Sequence, residues 1–590
     1  MSFLSQNLQK LSLLASKKRH SKEEDADDVG DEVDESSVAG GGHLARHSAL
    51  HRRSLRVSEA VQRFLVDRGE LSDQDVRVGG EMAPALQTLL AKPHFHVPME
   101  LLSPDYSLPE YFVSSSHNTY LMAHQLYGAS SAGAYTTALT SGSRCVEIDA
   151  WDNENDRDEP KVTHGYTLVS HIPFRTVCET IRDVMDKETQ LARNDPAYQT
   201  SPVLISLENH CSPHGQRRLV HILQEVFGER LLSKALDSIG ADLPDPAHVT
   251  LRLLGHRVLM IIEYHIPNEE EEETSQSSSS SSSDEEEEEK AARREYHRRK
   301  KQEHDSTIVP ELAALGVYAQ SVKPSNNSWF DPGTLLNGPH HHLINISETG
   351  LSKHMPHSNC KISQHNSKHL MRVFPKGTRI SSKNLAPVKY WSLGAQICAL
   401  NWQTFNGGMQ LNEALFTGTD GFVLKPAALR VGGSGSILNG RKKRLRLHIA
   451  GASNLAPPKG YGKDTEGGED WKPYVTCTLV HPGKTMGPNK RKTAVFKQHS
   501  KLAFLGGSSG QPSTDPLWDE VLEWEYEDSE MVFLRILIKA DLSWAINPNL
   551  RVIAVRLHYI VSGWRFLHLT DFSGHETETN MLVKFEMEDI

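Results

Sequence analysis

The stretch RCVEIDAW, residues 144–151, has the composition of a strand buried on both faces, yet it carries two carboxylates. Side chains alternate along a strand, so Glu147 and Asp149 leave it on the same face. Two acids so placed repel each other and lose hydration unless a cation joins them. The flanking sequence repeats the pattern. Apolar runs at YFV (111–113), VLISLEN (203–209) and RVLMIIEY (257–264) alternate with amphipathic segments, one carrying Val177, Ile181, Val184 and Met185, another Leu219, Ile222, Leu223 and Val226. Strand–helix–strand repetition with continuously apolar strands predicts a parallel sheet covered on both sides.

Residues 269–301 break this rhythm with glutamates, a serine run at 277–283, further acids and the basic stretch RREYHRRKK. Such a segment has nothing to bury and reads as a linker over 268–306. The alternation then resumes through LGVYAQSV, HLMRVFP and AQICALNWQ to about Arg430. The expectation is one TIM-type α/β barrel delivered in two halves, 105–267 and 307–430. After Arg441 the period becomes two, as in RLRLHIA and LEWEY, which predicts an all-β sandwich over 443–590. Residues 1–56 are low in apolar side chains and read as a disordered tail. Residues 57–104 read as a helical lead-in in two pieces. It lacks a D-x-D-x-D-G loop, so any EF-hand ancestry is degenerate.

The net charge is -11, but the acidic runs at 269–273 and 284–289 alone hold five and six acids. The rest of the chain is neutral, so the overall acidity says nothing about partners; separately, no nucleic-acid partner is expected. Six cysteines without short-spaced pairs argue against a disulfide scaffold or a zinc site and suit a reducing cytosol. No apolar run is long enough to span a bilayer. The first twenty residues lack acids and carry a basic cluster; a disordered start is favoured over a mitochondrial presequence.

Glu208 ends the run VLISLEN, and Asn118 follows YFVSSSH. One amide oxygen and three carboxylates at the carboxyl ends of neighbouring parallel strands would converge on the rim where barrel enzymes keep their active sites. Oxygen donors select a hard cation, Ca²⁺ or Mg²⁺. His117 and His164, in SSSHN and THGYTLVS, would border it with groups that titrate near neutrality. A lone strand-end histidine is more often structural, and His210 in ENHC is placed in that class. The joint pattern is what points to chemistry.

With SSSHNTYL, RCVEIDAWD, HGYTLVS and LISLENHCS in one half and GAQICALNWQT and GFVLKPAALR in the other, the chain resembles the eukaryotic phosphoinositide-specific phospholipases C, in the simple delta-like or fungal-type layout. The sandwich resembles the C2 domain of that family. The resemblance implies calcium-dependent hydrolysis of an inositol phospholipid in lipid signalling, giving diacylglycerol and inositol phosphate through a cyclic phosphate. It further implies one catalytic Ca²⁺ held by Asn118, Glu147, Asp149 and Glu208. His117 would stabilise the phosphorane, His164 would act as general acid and Glu147 as general base. Ser347 and Arg372 match residues that bind ring phosphates, and Phe374 matches an aromatic that packs on the inositol face.

Two departures stand out. Where the family presents two lysines for the 4- and 5-phosphates, register from Val258 places Ile261 and Glu263, which favours a less phosphorylated lipid. In the sandwich, Lys472 and a single Asp541 replace the aspartates of calcium-binding C2 loops. A calcium-independent module is expected, with PNKRKTAVFK (488–497) as a candidate patch for anionic lipid. The expected chain is monomeric and peripheral at membranes from the cytoplasm, with the nucleus as an alternative, and its acidic linker would oppose docking on anionic lipid. The competing reading is an inactive lipid-binding adaptor using the sandwich; retention of both histidines and all four oxygen donors argues for the enzyme.

Overall fold

The structure, a computed structural model, describes residues 55–75, 82–122, 130–163, 171–196, 198–236, 249–264, 308–322, 328–331, 335, 339–376, 383–458, 471–496, 513–542 and 548–590. His164 and the linker expected over 268–306 therefore lie outside the described residues, as does the tail up to residue 54.

Eight parallel strands form the barrel in chain order: β1 (Tyr111–Val113), β2 (Cys145–Trp151), β3 (Val203–His210), β4 (Val258–Tyr264), β5 (Gln320–Val322), β6 (His342–Ser347), β7 (Leu370–Phe374) and β8 (Ile397–Cys398). Each pairs with the next, and β8 returns to β1 through Val113 and Ile397. The last seam, β1 to β2, is closed by a parallel bridge between Ser115 and Cys145, where Ser116 N–H donates to Cys145 O at 2.8 Å. The two sequence halves meet where β4 pairs with β5, Ile262 opposite Gln320.

Burial alternates as the strand period requires. Val146, Ile148, Ile205, Leu207, Met260 and Ile262 face outward into a cluster with Val177, Ile181, Leu219 and Leu223 of the covering helices Phe174–Asn194 and Pro213–Phe227. Glu147 and Asp149 are thereby turned to the interior. At the base of β2, Arg144 donates Nη2 to Glu188 Oε1 at 2.6 Å and Nε to Asp420 O at 3.1 Å, tying one half to the other. His256 Nε2 also stands 3.1 Å from Glu188 Oε2.

The second body is all antiparallel. Strands β9 (Lys442–Ser453), β10 (Lys472–Val480), β11 (Leu517–Glu527), β12 (Phe533–Asp541), β13 (Asn549–Arg556), β14 (Gly563–Thr570) and β15 (Glu576–Asp589) form one layer ordered β11-β9-β15-β14 and another ordered β13-β12-β10. The layers join where Val552 pairs with Thr570, and Lys490–Lys492 adds an edge to β10. The helix Gly407–Phe416, buried at all ten positions, is wedged between barrel and sandwich. Tyr559 O–H donates to Leu415 O at 3.0 Å, and Arg535 Nε donates to Gln410 Oε1 at 2.5 Å.

The lead-in forms two helices, Glu59–Asp67 and Pro84–Ala91, and packs on the sandwich: Val61, Phe64, Leu65 and Leu86 bury with Ala450, Trp564, Phe566 and Leu582. The expected tail boundary at residue 56 needs correction. Leu55 is only 3% exposed within this cluster, and Arg56 pairs with Asp515, so both residues belong to the packed lead-in rather than to a tail.

Despite its burial, the Glu188 carboxyl is held at about 2 against an ordinary 4.5, by Arg144 and the bond from His256. A carboxyl depressed on folding stabilises above its unfolded pKa and loses that contribution as pH falls through its folded value. The pH-dependent part of the stability difference between the native chain and Glu188→Gln should be about 3 kcal/mol. Urea unfolding across pH should show it intact above about pH 4.5 and vanishing toward about pH 2.

Candidate active site

At the carboxyl end of β1 the chain continues extended through Ser116, then turns at Asn118, which sits in the left-handed region at φ 45°. Asparagine tolerates that conformation better than most residues. The turn aims the Asn118 N–H at Glu147 Oε2, 2.7 Å away. The other oxygen of Glu147 takes Arg372 Nη2 at 2.6 Å, with both side chains 4% exposed or less. Arg372 Nη1 donates to Asn345 Oδ1 at 3.1 Å.

Asp149, one pleat further along β2, accepts from the Tyr120 hydroxyl at 2.5 Å through Oδ2, while its buried Oδ1 has no hydrogen-bond partner among the described residues. Register puts Glu208 opposite Asp149, so three carboxylates meet, with one ligand oxygen from each lying within 4.8 Å of the others. Burial first, then the charges of Glu208 and Glu147, push the Asp149 carboxyl well above the usual carboxylate range. A divalent cation would relieve both the crowding and the orphaned oxygen, and the donor set suits Ca²⁺ or Mg²⁺. Glu208 is the outermost member at 56% side-chain exposure, with His210 Nε2 at 3.3 Å. His210 itself stacks on Trp151 at 4.0 Å between ring centroids.

His117 Nδ1 lies 2.8 Å from Asn401 Oδ1. Its pKa is lowered by burial, against an opposing pull from Glu147. Ser347, at the end of β6, accepts the Gly350 N–H at 3.1 Å as the cap of Glu348–Ser352, and pairs across the sheet with Phe374. Arg372 lies 5.7 Å beneath the Phe374 ring. The structure thus brings His117, Asn118, Glu147, Asp149, Glu208, Ser347, Arg372 and Phe374 to one end of one barrel. It also commits Arg372 to Glu147, a pairing that strand-by-strand reading did not reveal. Ile261 and Glu263 fall on the interior face of β4, as the register required, with Ile261 opposite Ser206 and Glu263 opposite Ser321.

Four supporting residues escaped sequence reading. Asn401 holds His117, Tyr120 holds Asp149, Asn345 holds Arg372, and Gln403 Nε2 donates to Asn118 O at 3.1 Å. Asn401 and Gln403 carried a usable signal: polar residues two apart directly after the apolar run ICAL, like the polar end of β1.

Residues 105–261 match the family described as phosphatidylinositol-specific phospholipase C, X domain, and residues 312–428 match its Y domain. Among curated relatives, human 1-phosphatidylinositol 4,5-bisphosphate phosphodiesterase zeta-1 is 34% identical over 80% of this chain and 72% of its own length. The delta-1 enzyme of Rattus norvegicus is 31% identical over 82% of this chain and 61% of its own. Phosphodiesterase 1 of Candida albicans is likewise 31% identical over 82% of this chain, but over only 48% of its own length. The chain thus spans about half to three fifths of the length of several relatives. Among solved structures, S. officinalis PLC21 aligns over 94% of this chain and 65% of its own with a TM-score of 0.67 at 23% identity, a likeness of fold.

If Arg372 is the counter-charge of Glu147, Arg372→Met leaves a buried carboxylate uncompensated and should cost about 3–5 kcal/mol. Adding Glu147→Gln should recover most of that loss. Urea denaturation of both variants in a chelating buffer measures it.

Proposed function

Because this chain belongs to the phosphatidylinositol-specific phospholipase C family, we propose that it hydrolyses an inositol phospholipid to diacylglycerol and an inositol phosphate through a cyclic phosphate. The observation that carries the reading is the convergence of Glu147, Asp149 and Glu208 beside His117 and the Asn118 turn at the rim of the barrel. A Ca²⁺ ion held by Asn118, Glu147, Asp149 and Glu208 would supply charge neutralisation at phosphorus and acidify the inositol 2-hydroxyl.

The residues divide the remaining work. Glu147 takes the proton of the 2-hydroxyl as its oxygen attacks phosphorus; Arg372 and the Asn118 N–H hold that carboxylate in a single orientation. Asn401 accepts from His117 Nδ1–H and fixes the ring; negative charge developing on the phosphoryl oxygen would favour a proton on Nε2 against the burial that lowers the His117 pKa, so that His117 stabilises the phosphorane. His164, assigned through the motif HGYTLVS, protonates the departing diacylglycerol oxygen as the bond from phosphorus breaks. Water then opens the cyclic phosphate with the acid and base roles reversed. Ser347 and Phe374 stand side by side where the inositol ring would lie, and Arg372 orients Glu147 beneath them.

Head-group preference follows from charge. The relatives are named for the 4,5-bisphosphate, yet Glu263 places an acid on the interior face of β4 where two phosphates would need cations. A less phosphorylated phosphatidylinositol is the preferred substrate on this reading. At the membrane, the basic edge strand Lys490–Lys492 is the candidate contact for anionic lipid. Among the described residues, no helix is long and apolar enough to cross a bilayer.

Release of water-soluble inositol phosphate from mixed vesicles tests the reading. Activity should vanish on calcium chelation and return with added calcium, and His117→Ala should lower the rate by about 10²–10⁴. Chelator-insensitive release, or release unaffected by the substitution, would contradict it. In the same assay, Glu263→Lys should raise turnover of the bisphosphate relative to phosphatidylinositol by about tenfold, equivalent to about 1.4 kcal/mol.

A further inference from the structure

Away from the rim, a cleft partly open to solvent lies where lead-in, barrel and sandwich meet. Leu55, Phe95, Phe405, Ala414, Val552 and Ile560 supply much of an apolar lining drawn from all three bodies. Glu413, on the buried helix Gly407–Phe416, opens onto it. Glu413 is only 8% exposed, and neither of its carboxylate oxygens has a hydrogen-bond partner among the described residues.

Among the described residues no ion pair reaches this group, although His94 and His568 also line the cleft. Burial, reinforced by Glu576 across the cleft, pushes the Glu413 carboxyl up to about 8. Arg556 also lines the cleft, but its guanidinium is engaged elsewhere, Nε donating to Glu530 O at 2.8 Å and Nη1 to the Tyr559 hydroxyl at 2.6 Å. An unpartnered acid in an apolar wall is costly unless a ligand brings the missing charge. A hydrated divalent ion needs six or more oxygen donors, which mostly apolar walls do not supply. An apolar body ending in a single ammonium matches both the walls and the acid.

We propose that this cleft binds an organic ammonium ion with an apolar body, its charge received by Glu413. Such a ligand would touch lead-in, barrel and sandwich together and hold them in one arrangement. The inference does not rest on the proposed hydrolysis, because none of the rim residues lines the cleft.

Calorimetric titration of the full chain with n-octylammonium chloride, below its micelle concentration, tests the site against 1-octanol as the uncharged counterpart. Saturable one-to-one binding of the amine is expected, about tenfold or more tighter than the alcohol. Glu413→Gln should remove that preference while Glu208→Gln leaves it intact, which separates this cleft from the acidic rim. Ala554→Phe, which narrows the cleft without altering either acid, should weaken both probes and decides the matter if Glu413→Gln does not fold. Equal binding of amine and alcohol, no binding, amine binding that survives both cleft variants, or amine binding lost in Glu208→Gln would each overturn the proposal.

Discussion

Glu147 and Arg372 face each other across the barrel interior at 2.6 Å, one from each sequence half of the barrel. Neither charge is tolerable there without the other. Their pairing couples correct association of the halves to the geometry of the site: a displaced Y half would strand Glu147, and with it the Asn118 N–H that shares the same carboxylate. Asp149 and Glu208 extend the constraint outward. With Arg372 committed to Glu147, these two acids are left facing the rim with excess negative charge, which is the physical demand for a cation.

Much of this was legible in the residues. Period-two alternation within RCVEIDAW turned Glu147 and Asp149 to one face, and Glu208 stood out as the acid that ends the apolar run VLISLEN; the observed register sets Asp149 opposite Glu208. Continuous apolar runs identified the barrel strands because both faces are covered, one by helices and one by the barrel interior. What remained hidden depends on contacts between distant segments. The partnership of Arg372 with Glu147 spans 225 positions and has no local signature. The lead-in has helical periodicity, yet nothing within it announces that Phe64 lies edge-on against Trp564 of the sandwich at 5.2 Å. Leu55 looked like the end of a polar tail because one apolar side chain carries no periodicity.

His210, expected as a structural residue, stands next to the acidic cluster. It is two residues from Glu208 on the same strand face, stacked on Trp151, and beside the most exposed of the three acids. That arrangement steadies the one carboxylate that burial does not fix. The polar ends of β1 and β8 do the same for His117, through Asn401, and for the Asn118 turn, through Gln403. Barrel rims concentrate such residues because loops emerging from parallel strands can aim side chains at one point while the strands below stay rigid. The helix Gly407–Phe416 obeys a different logic: it buries polar side chains between two bodies, so Gln410 finds Arg535 while Glu413 opens onto a cleft.

Whether the three rim acids hold calcium can be read without lipid or turnover. Calcium titration of the full chain by calorimetry, compared between the native sequence and Asp149→Asn, reads the site itself. A saturable site is expected in the native chain, with an affinity that falls about a hundredfold or more in the variant. Calcium binding of equal affinity in both proteins would contradict it.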